Sequence, residues 1–271
     1  MPRGDDRAVS GLVGYMLVFT IVLTSGVVLT TAGLTALLDS GESGLSPTAE
    51  RDIQRVDSGV GALVDGGPRR EVWLGLEGGR LAYGDRYSVT VSVDDGNGST
   101  PEDRIEATGR PLTYAAGGSR ATYGSGLAAT GEGATLRERP RIRLSDSQAV
   151  LDLTVFEQAP RTPSVVSGSD IPVVLERTGA ETLERAADTV DGAAAERTVT
   201  VTVDGPLARS WGTYFEGHDR LQPRDVDGDG ATEYTSDTDG DGEVDRASAT
   251  VTSERVFVRT VTVSVALDRA L

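Results

Sequence analysis

The chain has 271 residues, with 42 acidic side chains against 26 basic ones, a formal charge of −16, one histidine and no cysteine. Without cysteine there is no disulfide framework, thiol nucleophile or thiolate-held zinc, and His218 alone cannot build a histidine-rich metal site within one chain. The negative balance argues against nucleic-acid binding, or anionic-membrane binding, through a basic surface, while 38% hydrophobic residues suffice for a core.

The N-terminus carries the strongest single feature. From Ala8 to Leu38 there are 31 residues without a charge. As a helix the run would measure roughly 46 Å, against the ~30 Å hydrocarbon core of a bilayer. An export signal has an apolar stretch of only about 7–15 residues, so this run reads as a span rather than an ordinary cleaved signal. No second run of this length follows, which predicts a single crossing. Arg3 and Arg7 are offset by Asp5 and Asp6 and do not set the orientation; the simple export product keeps the short stub inside and the large C-terminal part outside. Gly26 and Gly33, with Thr20, Thr24, Ser25, Thr30, Thr31 and Thr35 around them, are small or hydroxylic residues of the kind that let helices approach closely in lipid or in a bundle.

Asp5–Leu23 reads DDRAVSGLVGYMLVFTIVL. It resembles the N-terminus of haloarchaeal type IV pilins, with identity at Asp5, Asp6, Arg7, Ala8, Val9, Ser10, Gly14, Leu17 and Ile21. It differs at Gly11, where that family commonly has proline, and at Tyr15 and Phe19, where it has smaller aliphatics. The resemblance implies a class III signal peptide, cut by a prepilin peptidase between Ala8 and Val9, with Arg7 and Ala8 as the charged-small pair before the cut. Three further stretches, AERDIQRVDSGVGALVDG, Glu71–Val93 and LRERPRIRLSDSQAVLDLTV, resemble a haloarchaeal group of pilin-like membrane proteins that brings no biochemical activity with it. Residues 1–8 are then a leader and 9–38 the transmembrane or pilin helix, with other pilin-like subunits as partners through that helix.

Residues 39–46 are polar, with Gly41 and Gly44 as breakers, and read as a hinge. Ser46 and Pro47 suit an N-cap and a first helical position, and Glu50 the first turn. Ala49, Ile53, Val56, Val60 and Leu63 recur at spacings of four and three, which predicts an amphipathic helix over 47–65. Its stripe suits packing on the helix's own domain, or a coiled-coil stalk or pilus-core helix.

From residue 66 to 271 the text is β-like. Glu71–Glu77, Arg86–Asp94, Ala149–Glu157, Arg197–Asp204 and Arg255–Leu267 are rich in Val and Thr, and several alternate apolar with polar. Shorter strands are expected at Arg80–Tyr83, Leu112–Tyr114, Arg120–Tyr123, Leu136–Leu144 and Ile171–Leu175, and short helices at Glu181–Val190 and Pro206–Glu216. The fold class expected is mainly β with a long N-terminal helix, a short second helix and an antiparallel sandwich-like extracytoplasmic domain. Trp73, Trp211, Phe156, Tyr214 and Phe215 are expected to fill cores, and His218 to face solvent.

One other motif carries chemistry. In the acidic stretch 225–245, Asp225, Asp227, Asp229 and Glu233 occupy positions 1, 3, 5 and 9 of a repeat. Asp237, Asp239, Asp241 and Asp245 repeat the pattern twelve residues on, with Gly230 and Gly242 at position 6. Alternate carboxylates on a tight loop point at one centre, and calcium takes six to eight oxygens, so the position-7 carbonyls of Ala231 and Glu243 complete the expected ligand set. Position 12 holds Ser236 and Ser248 rather than the bidentate Glu of an EF-hand; the repeats resemble the shorter calcium loops of thrombospondin type 3 arrays. All 26 basic residues are Arg, a balance that suits strong brine, where the screening length falls to about 3 Å near molar salt. There magnesium and sodium compete with calcium, and the cation's role is to order the loop.

No nucleophile elbow, phosphate-cradling loop, HExxH or dinucleotide fingerprint occurs, so no catalytic residue is expected. The function expected is that of a pilin-like, single-pass cell-membrane protein with its C-terminal domain extracellular, serving a surface filament or adhesion apparatus. The alternative is a permanently anchored extracytoplasmic binding domain that does not polymerise.

Overall fold

A computed structural model describes residues 47–76, 78–94, 103–116, 119–130, 135–186, 189–190, 193–194 and 196–267. The leader, its processing residues Arg7, Ala8 and Val9, the run 9–38 and the hinge 39–46 lie outside the described residues. Among the described residues no helix is long and apolar enough to cross a membrane.

The expected amphipathic helix forms as α1 (Pro47–Val64), and Ala49, Ile53, Val56, Val60 and Leu63 are all buried. It ends where Gly66 takes φ of +104° and Gly67 N–H donates to the Ala62 carbonyl at 2.9 Å, a left-handed closure that satisfies the last-turn carbonyls. The strands follow in chain order: β1 (Arg69–Leu74), β2 (Arg80–Tyr83), β3 (Tyr87–Asp94), β4 (Asp103–Gly109), β5 (Leu112–Ala116), β6 (Ser119–Gly124), β7 (Leu127–Thr130), β8 (Thr135–Glu138) and β9 (Arg141–Leu144). Then come β10 (Ala149–Gln158), β11 (Val165–Ser167), β12 (Ile171–Arg185), β13 (Thr189–Val190), β14 (Ala193–Ala194) and β15 (Arg197–Asp204). After helix α2 (Ala208–Glu216) the chain ends in β16 (Thr235–Ser236), β17 (Arg246–Ser253) and β18 (Val256–Leu267).

Three larger sheets result, in the orders β1-β12-β18-β10-β9, β11-β2-β5-β6-β7-β8 and β16-β17-β15-β3-β4. The mainly β expectation holds and the pairing is antiparallel throughout except between β10 and β18, which run parallel.

The two cores explain why β18 has to be twelve residues long. Val256 and Val258 belong to one core, with the third sheet and α2, whereas Val261, Val263, Val265 and Leu267 belong to the other, with α1 and the second sheet. The buried positions change from even to odd numbers at Thr260–Val261. Successive side chains in a strand point to opposite faces, so β18 buries one face in its first half and the other in its second. Its neighbour β12 makes the same change through a bulge between Arg177 and Gly179: Leu175 pairs with Val265 before it, and Leu183 with Val258 after it.

Several expectations are corrected. The helix expected at Glu181–Val190 is not present: Glu181–Arg185 extends β12 against Arg259 and its neighbours, and Thr189–Val190 is β13, because cross-strand pairing overrides the helix preference of Glu181, Leu183, Glu184 and Arg185. The expected Leu136–Leu144 strand is two, β8 and β9, in different sheets, divided at Arg139-Pro140. The helix expected at Pro206–Glu216 is present as α2, two residues shorter at its start. Trp73 does not fill a core: it is 52% exposed on edge strand β1, while Trp211, Phe156, Tyr214 and Phe215 are buried. His218 is only partly exposed, its ring 5.7 Å from that of Tyr214 in an edge-on contact.

Candidate metal centre

The acidic segment connects α2 to β17, and both of its ends are held by backbone pairing. Arg224 and Glu233 exchange backbone hydrogen bonds of 3.1 and 2.9 Å, closing the first loop. Twelve residues on, the same relation recurs as Asp245 N–H donates to the Ser236 carbonyl at 3.2 Å. Tyr234, between the loops, donates its hydroxyl to the Leu221 carbonyl at 2.8 Å and lies 6.3 Å from the Phe215 ring. The base of the double loop is therefore fastened to the buried face of α2.

Inside each loop the backbone folds around the leading aspartate. Asp225 accepts N–H bonds from Gly228 (2.6 Å) and Gly230 (3.1 Å), and Asp237 accepts them from Gly240 and Gly242, both at 2.7 Å. Asp227 and Asp239 each accept from the residue two further on, at 3.1 and 3.2 Å; Asp229 and Asp241 do the same with Ala231 (2.7 Å) and Glu243 (2.8 Å). These are turns in which an Asp side chain takes the place of a backbone carbonyl. The turn needs left-handed backbone at two places per loop, and Gly228, Gly230, Gly240 and Gly242 supply it with φ of +86°, +91°, +81° and +90°. The sequence pattern singled out only the second glycine of each pair.

The outcome is a convergence of carboxylates. Asp225, Asp227, Asp229 and Glu233 each place an oxygen within 4.8 Å of the others, and Asp237, Asp239 and Asp241 do the same. Asp245, the expected fourth member of the second set, is not in that group. Its carboxylate accepts from Thr238 N–H at 2.9 Å and from the Thr238 hydroxyl. Glu233 meets the corresponding residue, Val226, only through its backbone N–H, at 3.2 Å, since valine has no hydroxyl to offer. The position-12 serines also part company. Ser236 donates to Asp227 at 3.4 Å beside the first loop, whereas Ser248 sits in β17 and donates to the Val201 carbonyl. Hydrogen bonds from Gly242, and then from Gly240 and Asp241, hold the Asp237 carboxyl below its ordinary value of 3.8.

These turns bring together several carboxylate oxygens, the donor type that hard divalent cations take. Thr238 and Tyr234 are the contributors that sequence reasoning missed. The only visible signal for Thr238 was its mismatch with Val226 when the two repeats are aligned.

A family model described as a family of unknown function (DUF7289) matches residues 7–266. The chain belongs to this family. No curated protein and no solved structure matches it. The DUF7289 span starts at Arg7 and ends at Ala266, so the uncharged run and both acidic loops fall within one unit of homology.

Proposed function

We propose that the chain is a pilin-like, single-span surface protein of the cell membrane, whose β-rich domain lies outside the cell. The observation that carries this reading is the uncharged run 8–38, introduced by Asp5-Asp6-Arg7-Ala8-Val9-Ser10 and included in the family match that begins at Arg7. In this reading a prepilin peptidase cuts between Ala8 and Val9, and the apolar helix joins other pilin-like subunits in a surface filament or adhesion apparatus. The role is structural rather than catalytic. A second reading keeps the same anchor uncut, with the domain acting as a fixed extracytoplasmic binding module. Mass spectrometry of the native N-terminus separates the two: a chain starting at Val9 supports the pilin reading, and one starting at Met1 or Pro2 sinks it in favour of the fixed anchor.

Within either reading, the double loop takes calcium as a structural cation, with magnesium and sodium as competitors in brine. Asp225, Asp227, Asp229 and Glu233 hold one ion and Asp237, Asp239 and Asp241 the other, with the carbonyls of Ala231 and Glu243 as additional ligands. Calorimetric titration of the full chain in detergent with calcium should give saturable binding; a flat titration removes this part of the proposal.

A further inference from the structure

The face of the domain beside α1 combines arginines with an exposed indole. An open groove of about 830 Å³ lies between α1 and β1, lined by Arg51, Arg55, Arg70 and Trp73, with Glu71 and Asp170 its two carboxylates. Three arginines face two lining carboxylates, and Asp52 pairs with one of the three, so the groove is close to neutral where the chain as a whole carries −16. Arg55 is paired with Asp52 at 2.9 Å and also donates to the Trp73 carbonyl at 3.3 Å. Arg51 and Arg70 are exposed and have no carboxylate partner among the described residues, and Arg69 beside them is in the same condition. Trp73 is one of two large hydrophobic side chains left exposed among the described residues.

Chain length says where this face works. Arg51 is one turn into α1, and Gly75, at the far end of β1, lies beside Thr48 in the first turn. Only residues 39–46 separate Leu38, the last residue of the uncharged run, from Pro47. Eight residues span at most about 28 Å even when fully extended. If the run enters a bilayer, the first residue of α1 is tethered within that reach of the end of the run.

We infer that the α1–β1 groove docks on the anionic headgroup layer of the membrane that holds the chain. This inference rests on the anchoring reading above. Guanidinium groups match phosphate oxygens in a two-pronged geometry and do so by direct contact, which survives salt better than long-range attraction. An indole is the side chain best suited to the interface, with an apolar body and a polar N–H. The overall negative charge, which argues against membrane binding by the surface as a whole, then works against docking through the acidic faces, such as that of the double loop.

The two tryptophans make the test direct, because Trp211 is fully buried and Trp73 is exposed. The full chain is reconstituted in vesicles of phosphatidylglycerol, or of phosphatidylcholine, each carrying a lipid with a quencher in the headgroup region. Expected is quenching of the Trp73 share of the emission in phosphatidylglycerol, absent in Trp73→Phe, and its loss in phosphatidylcholine and in the Arg51→Glu, Arg70→Glu double variant. Trp73 remaining open to aqueous acrylamide in both lipids overturns the inference while leaving the anchor intact. Shielding of Trp73 that rises with protein density but shows no lipid quenching overturns it too, in favour of a neighbouring copy. If the chain fails to float with either vesicle, the anchoring reading falls and takes this inference with it.

Discussion

The two acidic loops share spacing, glycines and backbone turns, yet they do not gather the same number of carboxylates. The first gathers four carboxylates; the second gathers three, because Asp245 is bound to Thr238. Of the six positions at which the repeats differ, two touch this carboxylate: position 2, Val226 against Thr238, and position 9, Glu233 against Asp245. Identical ligand spacing therefore does not ensure identical sites. A neighbour able to hydrogen-bond to a ligand in the empty state competes with the ion for it.

The largest expected effect tests the ranking itself. Asp225→Asn with Asp227→Asn should weaken the tighter calcium-binding step by on the order of 100-fold, well above the effect of Asp237→Asn with Asp239→Asn on that step. Equal losses in calorimetry would mean the loops are equivalent after all. The exchange of position 2 is the sharper test. Thr238→Val removes the hydroxyl bond to Asp245 while keeping the backbone one, as in the first loop, and should tighten the second site about 10-fold, and Val226→Thr should loosen the first by a similar factor. A null result for both swaps would place the difference in Glu233 against Asp245 instead.

Backbone substitutions should be blind to the difference. Gly230 and Gly242 have φ of +91° and +90°, with nothing within 4 Å of an added Cβ. Alanine at either should destabilise its loop by about 1–2 kcal/mol through backbone conformation alone. Thermal melts showing a large disparity between the two variants would reveal contacts that only one loop makes.

The smallest effect concerns the aromatic base on which both loops rest. Burial raises the Tyr214 hydroxyl from 10.0 to about 12, and it raises that of Tyr234 as well, with Glu216 adding to the effect. A raised folded-state value favours the neutral form, so this stability is fully present below pH 10 and is lost as the pH climbs through about 12. Ultraviolet titration should show these phenols ionising late, together with unfolding; early, reversible ionisation of Tyr214 would mean that the face of α2 under the loops is open to water.

Legibility followed how local each signal was. The stripe Ala49–Leu63 was readable because a helix repeats every few residues and its apolar face is visible in one stretch. Carboxylate convergence was readable for the same reason: Asp225, Asp227 and Asp229 reach one point through turns closed within six residues. β17, with the text RASATVTS, was not read as a strand, because small side chains give little pattern until Val199, Val201 and Val203 pair with it. Glu181–Arg185 was misread for the converse reason: local preference favoured a helix, but β18 supplied a partner.

Trp73 shows how far a composition argument reaches. Scarce aromatics belong in cores as a rule, and four of the five expected there are buried. The fifth lies on an edge strand with arginines beside it, and nothing in its immediate neighbours on the chain announces that placement.

By itself, the amino-acid sequence determined the uncharged run, the acidic repeat, the α1 stripe and the predominance of strands, since each is a pattern of hydrophobicity or charge carried within a short stretch of chain. Only the tertiary structure decided that β18 serves two cores on opposite faces, that Thr238 holds Asp245 apart from the other carboxylates of its loop, and that Trp73 lines one groove with Arg51 and Arg70. Those outcomes depend on which face of a strand turns inward and which side chain a neighbouring element brings within reach, and a residue's position along the chain does not encode either one.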